Sequence, residues 1–444
     1  MKGMEPPHTR SVSVLCSLGL FIAGYIFYSS SLIESFYASE FHLTSWQIGM
    51  AQSSVPLGAM LGAVLAGRLA DLVGRHRLLV SNFLILVVTA ILGALSFDFY
   101  SLCLSRIMSG CLAGTLYPLC AAYLTEMTAE ASVARQSAIL MFINCLAAPV
   151  ACIVAIILSC LYPEHVLWRM ITICYAVPSL AAYLLSKKLP ESREWLSAAE
   201  EKASCAGSGT NPVPNISVGL KILFSQSYRN VTVCLLGAWF LMDIAYYGIN
   251  FFVPYLLQVI EIKSFSASFN HQFHSVLSNE TIWGTFIINI FFMLGALSAI
   301  FIVEKVNLIQ LQKYGFLFAS ISLFLLAGYF YSGLQYNYAV IVLFVVFNFA
   351  LNLGPDVTTY LLSATSYPVE IRGSGHGMNA GFAKFGSFLG VLLLPRLQDL
   401  WGYQFVILLL SMLLFTAYIL SIQLAKVLSS DDKMTEAAVI YETN

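Results

Sequence analysis

Asp243 stands inside LLGAWFLMDIAYYGINFF, residues 235 to 252, a run apolar enough to lie in a lipid bilayer. A carboxylate at the centre of a membrane helix costs roughly 2.5 to 3.5 kcal/mol on insertion scales, so something must offset it. Trp239, Asp243, Tyr247 and Asn250 fall at i, i+4, i+8 and i+11 and therefore share one helix face. The helical rise makes this polar stripe about 16 Å long. Asn348, Asn352, Asp356 and Thr359 or Tyr360 recur at the same spacing, and Gly354-Pro355 interrupts the backbone ladder beside Asp356. Broken backbone at membrane depth is tolerated only where it lines protein or a cavity. Two such stripes imply a central cavity. Lys384, too deep in its apolar segment for easy snorkelling, and Arg106 would balance the two carboxylates. Two neighbouring acids do not both ionise easily, so Asp243 and Asp356 are the candidate proton carriers. Both ionised, they could instead receive a cationic or zwitterionic solute.

These residues need elements that hold them in lipid. The chain of 444 residues is 59% hydrophobic and 10% charged, whereas soluble domains carry about one quarter charged residues. Twelve segments reach the length a bilayer requires. They lie near 11–36, 47–70, 78–98, 101–126, 136–160, 167–186, 230–258, 281–303, 315–333, 338–366, 375–397 and 401–425. The short alternating segments of a membrane β-barrel are not the pattern here. The expected fold class is an all-α membrane protein, an integral multi-pass bundle of the plasma membrane or bacterial inner membrane.

Lys and Arg set the orientation. Arg68, Arg75, Arg77 and Arg135 follow the second and fourth spans, and six more basic residues crowd 187–229. The loops after spans 1, 3 and 9 have none, which places both termini in the cytoplasm. The polar stretch SAAEEKASCAGSGTNPVPNISVG reads as a flexible linker. The expected organisation is a six-helix half over 1–186, a cytoplasmic linker over 187–229, a second half over 230–425, and a tail over 426–444.

GRLADLVGRHR (67–77) follows span 2, where Gly67 and Gly74 permit close packing and Asp71 can hold Arg75 across the turn. With the six-plus-six organisation, this loop resembles the signature of the major facilitator superfamily, whose halves rock about a central site. PESREWL (190–196) resembles the sugar-porter signature after span 6, and Glu126 and Arg135 fit the same charge network. The resemblance implies that Asp71, Arg75, Glu126, Arg135, Glu191 and Arg193 are gating latches. The corresponding loop after span 8, VEKVNLIQLQK, is degenerate.

WFLMDIAYYG (239–248), AGTLYPLCAAYLTE (113–126) and the segment 354–390 are similar to spans 7, 4 and 10–11 of the phosphate:proton symporter family. That resemblance implies a substrate site at Tyr117, Trp239, Asp243, Tyr247, Asp356 and Lys384, with Asp356 standing where the family has Asn. A Gln of the family's span 5 has Asn144 as its nearest counterpart. The family's proton-relaying acids are replaced: Ala23, Ile26 and Leu116 stand at those places.

The function this implies is secondary active transport by alternating access, proton-coupled, with phosphate or another small anion as substrate. A sugar or polyol, or a cationic or zwitterionic metabolite, is the alternative within transport. A non-transporting receptor of the same fold is the alternative outside it. No nucleophile–base pairing, metal-ligand spacing or Walker-type loop stands out, so no enzyme, metal or cofactor is expected. The partners expected are a small-molecule substrate, the lipid bilayer and a coupling proton, with no nucleic acid, in a monomer. The ten cysteines read as small core residues. His271 and His274 form too sparse a pair for a metal, and His376 and Arg372 are expected in a solvated turn.

Overall fold

The computed structural model describes residues 9–127, 133–192, 195–197, 222–250, 279–332, 337–367 and 369–430. Within them, twelve helices are long and apolar enough to cross a membrane. No strand occurs among the described residues.

The elements of the first half are α1 (Thr9–Leu32), α2 (Glu34–Glu40), α3 (Ser45–Val73), α4 (Arg75–Ala94), α5 (Phe99–Met127), α6 (Val133–Ser159), α7 (Glu164–Ile173) and α8 (Ala176–Ser186). The second comprises α9 (Arg229–Asn250), α10 (Asn279–Ile302), α11 (Leu308–Tyr331), α12 (Asn337–Leu353), α13 (Pro355–Thr365) and α14 (Val369–Ser430). The first span stops short of its expected end: the chain turns at Ile33 and enters the short helix α2. α7 and α8 together make the sixth span, and α12 and α13 the tenth, broken at Gly354. Gly402, at φ 81°, separates the two spans of α14. The part of the seventh expected span beyond Asn250 lies outside the described residues, as do His271 and His274.

Local chemistry sets several boundaries. Thr44 begins α3 with a capping box: its hydroxyl accepts from the Gln47 amide, and the Gln47 side chain accepts from the Thr44 amide. Between α3 and α4, Gly74 takes φ 104° and ψ 151°, a conformation open in practice to glycine alone. A Cβ there would also strike the Glu191 carboxylate.

Small residues let the helices close. Gly58 and Gly62 of α3 face Gly110 and Gly114 of α5, and a Cβ on any of the four would land on a backbone carbonyl of the other helix. This is small-xxx-small packing, which works in lipid because dispersion replaces the hydrophobic effect as the drive. The most extensive contacts between the halves run along α3 and α14 and along α6 and α10. Within the second half, α9 packs against α14. That last contact positions the site.

Candidate functional site

α9 and α14 bring Asp243 and Lys384 together near the middle of their spans. Lys384 Nζ donates to Asp243 Oδ2 at 3.0 Å and to the Tyr247 hydroxyl at 2.9 Å. The Ser387 hydroxyl donates to the same Asp243 oxygen at 2.9 Å. The ammonium also lies 4.3 Å from the Tyr247 ring centroid and 4.9 Å from that of Tyr117, a cation–π arrangement in a desolvated place. Tyr117 comes from α5, so the cluster spans both halves. Asn144 of α6 donates to the Tyr117 hydroxyl at 3.2 Å and to the Leu20 carbonyl of α1 at 2.9 Å.

A second group adjoins it. The Tyr28 and Tyr246 hydroxyls are 3.0 Å apart, and Tyr246 donates to Asn352 Oδ1 at 3.3 Å. The Cys145 thiol reaches Asn352 Oδ1 at 3.4 Å and Asp356 Oδ2 at 3.9 Å. Asp356 has no ion pair among the described residues and keeps part of its surface accessible. Asp243 and Lys384 neutralise each other, so Asp356 is the odd carboxylate of the site.

The two polar stripes meet rather than enclosing the open cavity expected from the sequence. Asp243 is 1% exposed and Lys384 3%. Aromatic layers close over the pair on both sides. Toward the α2 end, the Phe27 ring packs tilted against Tyr247, with centroids 5.1 Å apart, and Tyr28 meets Tyr246. Toward the other end, Tyr360 donates to the Tyr117 carbonyl at 3.1 Å, and Trp239 packs beside Tyr360 and His376. The site is occluded.

Of the six expected substrate residues, Tyr117, Tyr247, Asp243 and Lys384 form one contact cluster. Trp239 lies one helical turn from Asp243, and Asp356 borders the cluster through Cys145. Arg106 does not take part. It bonds instead to Gln52 at 2.9 Å, so it does not balance the central carboxylates. His376 is not in a solvated turn: α14 begins at Val369, two turns earlier, and buries it between Trp239 and Tyr360, with ring centroids 5.7 and 5.0 Å away.

The expected latches divide. Arg75 Nε donates to Glu126 Oε1 at 3.1 Å and its Nη1 to the Ala70 carbonyl, which ties α3, α4 and α5 within one half. Glu191 caps α4, accepting from the His76 amide at 2.9 Å. Arg135 is exposed. The side chain of Asp71 and all of Arg193 lie outside the described residues.

Sequence reasoning passes over Ser387, Cys145, Tyr246 and Glu34. Ser387 has a signal, since it follows Lys384 at i+3 on the same helix face. Cys145 and Tyr246 read as packing.

A twelve-helix bundle with a closed, charge-paired site at the meeting of its halves defines the membrane-transporter class. The family profile described as Major Facilitator Superfamily matches residues 15–391, and the chain belongs to that superfamily. A protein of Oryza sativa subsp. japonica named "Probable inorganic phosphate transporter 1-9" is 25% identical, over 89% of this chain and 78% of that protein. The arabinose-proton symporter of Bacillus subtilis (strain 168) is 24% identical, over 90% of each. The proton:xylose symporter XylE bound to 6-bromo-6-deoxy-D-glucose superposes with a TM-score of 0.78 at 15% identity, over 94% of this chain and 95% of that one. At that identity the likeness concerns the fold.

Proposed function

We propose that this transporter carries inorganic phosphate with protons, by alternating access of the occluded site. The observation that carries the reading is the Lys384 ammonium, held by Asp243 and Tyr247 in a closed pocket into which Tyr117, Asn144 and Ser387 also direct polar groups. A phosphate entering this cluster would draw Lys384 partly from Asp243 and accept hydrogen bonds from the hydroxyls. Asp356, protonated, would donate to a phosphate oxygen rather than repel it. Asp243 and Asp356 are thus the central proton carriers in this reading. The similarity to proteins named as phosphate transporters supports the same substrate class.

The first half comprises 1–186 and the second 230–425, joined by a cytoplasmic linker over 187–229 and followed by a cytoplasmic tail over 426–444. Both termini face the cytoplasm, which sets the α2 end outside, and the working unit is the monomer. Asp71, Arg75, Glu126, Arg135, Glu191 and Arg193 stabilise the cytoplasmic closure.

One observation favours a second reading. The Asp356 carboxylate has no cation of its own among the described residues, and the pocket is walled by Trp and Tyr rings, which suits a cationic or zwitterionic metabolite. Counterflow of radiolabelled phosphate in proteoliposomes separates the two. Exchange that vanishes in Asp243→Asn supports phosphate. A folded wild-type protein that exchanges none overturns it and directs the screen to cations and zwitterions.

A further inference from the structure

The first half carries a second charged cluster that the central site does not use. Gln52 of α3 is fully buried and makes three hydrogen bonds. Its Nε2 donates to Glu34 Oε2 at 2.5 Å and to the Ser30 carbonyl at 3.1 Å, while its Oε1 accepts from Arg106 Nη2 at 2.9 Å. Arg106 is buried, its guanidinium 5.3 Å over the Tyr37 ring, and its Nε has no hydrogen-bond partner among the described residues. Beside it is a cavity of about 30 Å³, lined by Ser29, Ser30, Ser105, Ser109 and Tyr175. Glu34 is only half-buried and sits at the start of α2, at the end of the bundle away from the Arg75 loop.

We propose that Glu34 is the site where a coupling proton enters from outside, and that Gln52 transmits its protonation to the substrate site through α1. This inference rests on the transport reading above. Ionised, Glu34 offsets the buried Arg106 through the Gln52 amide and anchors one of that amide's N–H groups. When a proton from the medium forms an O–H bond on Glu34, the carboxyl becomes a weak acceptor. Gln52 is then restrained by Ser30 and Arg106 alone.

Ser30 is the link. The same turn of α1 carries Phe27, which packs tilted against Tyr247, and Tyr28, which meets Tyr246. Tyr247 accepts from Lys384, and Tyr246 donates to Asn352 beside Asp356. A change in how Gln52 grips Ser30 therefore acts on the layer that closes the site toward α2. No separate wire is needed, because one helical turn makes both contacts.

The surroundings leave Glu34 free to titrate. α1 presents the Ser30 carbonyl, α3 presents Gln52, and α5 presents Arg106 and Cys103. α2 itself adds Tyr37. α7 presents Trp168 and Arg169, both engaged by Glu40. Burial raises the Glu34 carboxyl above its ordinary range, against the opposing pull of Gln52 and Arg106.

The test uses the full-length protein in proteoliposomes, with wild type, Glu34→Gln, Glu34→Asp and Gln52→Leu compared. Radiolabelled phosphate is followed in counterflow without a gradient, then in accumulation driven by an inward proton gradient. In Glu34→Gln, exchange survives and accumulation falls to the no-gradient level, while Glu34→Asp accumulates. Gradient-driven accumulation by Glu34→Gln at the wild-type level overturns the proposal. So does loss of exchange as well as accumulation in that variant, which would make Glu34 structural. Accumulation by wild type on a sodium gradient at fixed pH also overturns it.

If wild type exchanges no phosphate, the substrate reading fails by itself and infrared titration of the purified protein decides the proton site. A protonated-carboxyl band missing from Glu34→Gln, but kept in Asp243→Asn and Asp356→Asn, supports it. A band unchanged in Glu34→Gln overturns it. Where wild type does accumulate phosphate, Gln52→Leu should keep that band and exchange but lose gradient-driven accumulation, a separation that a merely structural role for Gln52 would not produce.

Discussion

Lys384 and Asp243 are 141 positions apart in sequence and 3.0 Å apart in space, and neither has more than 3% of its surface exposed. Their pairing fixes α9 to α14 at the depth where the two halves meet. Such a pair is weak evidence for stability by itself, because desolvation consumes most of the Coulombic gain. Breaking it from one side is another matter.

Asp243→Asn leaves a buried ammonium without its counter-charge, and Lys384→Met leaves a buried carboxylate. Each should lower unfolding stability in detergent by about 3–5 kcal/mol. The double variant should recover most of the loss, because both charges are gone. It should not recover substrate exchange. Thermal unfolding of the three proteins, beside counterflow, separates the structural from the functional share.

The closing layer toward α2 depends on the Tyr28–Tyr246 contact. Tyr28→Phe removes one hydrogen bond worth about 1 kcal/mol and shifts the balance toward opening by about fivefold. Cys145 reports it, since its thiol is buried just inside that layer. Its alkylation by a water-soluble maleimide, resolved by peptide mass spectrometry, should accelerate by that factor in Tyr28→Phe. Unchanged labelling would show that Phe27 and Tyr247 close the site without help.

Two glycines should respond in opposite ways. Gly110→Val drives a side chain into the Val55 carbonyl of α3, where no flexible group can yield, so monodisperse protein should be lost. Gly328, in α11, has nothing within 4 Å of an added Cβ. Gly328→Ala should stabilise the fold by about 0.5–1 kcal/mol through helix propensity. Fluorescence-detected size exclusion reads the first variant, and thermal unfolding the second.

Glu40 gives a pH dependence with a definite sign. The Arg169 guanidinium, bound to both its oxygens, holds its carboxyl below the ordinary glutamate value of 4.5. A carboxyl lowered in the folded state adds stability above that value, and the gain fades as pH falls through the folded one. Unfolding curves should therefore steepen their decline with acid in wild type relative to Glu40→Gln, only below about pH 4.5. Equal slopes would show that the bridge is open in solution.

Most of the fold is legible in the sequence because lipid imposes strict rules. Twelve apolar segments and the face shared by Trp239, Asp243 and Tyr247 all follow from length and helical period. The residues that contact one another across the halves are harder to read. Tyr117 and Lys384 are reachable through family likeness, yet nothing local reveals that Tyr28 meets Tyr246 or that Cys145 approaches Asn352. Glu34 escapes because the apolar pattern carries the first span on to residue 36, which makes its carboxylate look like a span end facing water. The turn at Ile33 folds it back onto Gln52 instead. Arg106 is visible in the sequence, but its depth alone does not say which acid it serves.

The seam between α3 and α14 bears on how such a molecule moves at modest cost. A Cβ placed on Gly67 would touch the Gly373 carbonyl at 2.7 Å, and one on Gly377 the Ala63 carbonyl at 3.0 Å. At these two points main chain rests on main chain. Parting main chain from main chain uncovers less apolar side-chain area than withdrawing interlocked side chains, and the penalty scales at about 25 cal/mol per Å² of apolar surface. At those points the two surfaces act as a smooth bearing rather than a toothed gear. In the proposed function, a solute and a proton, each contributing a few kcal/mol of differential binding, are then sufficient to tip the molecule from one face to the other.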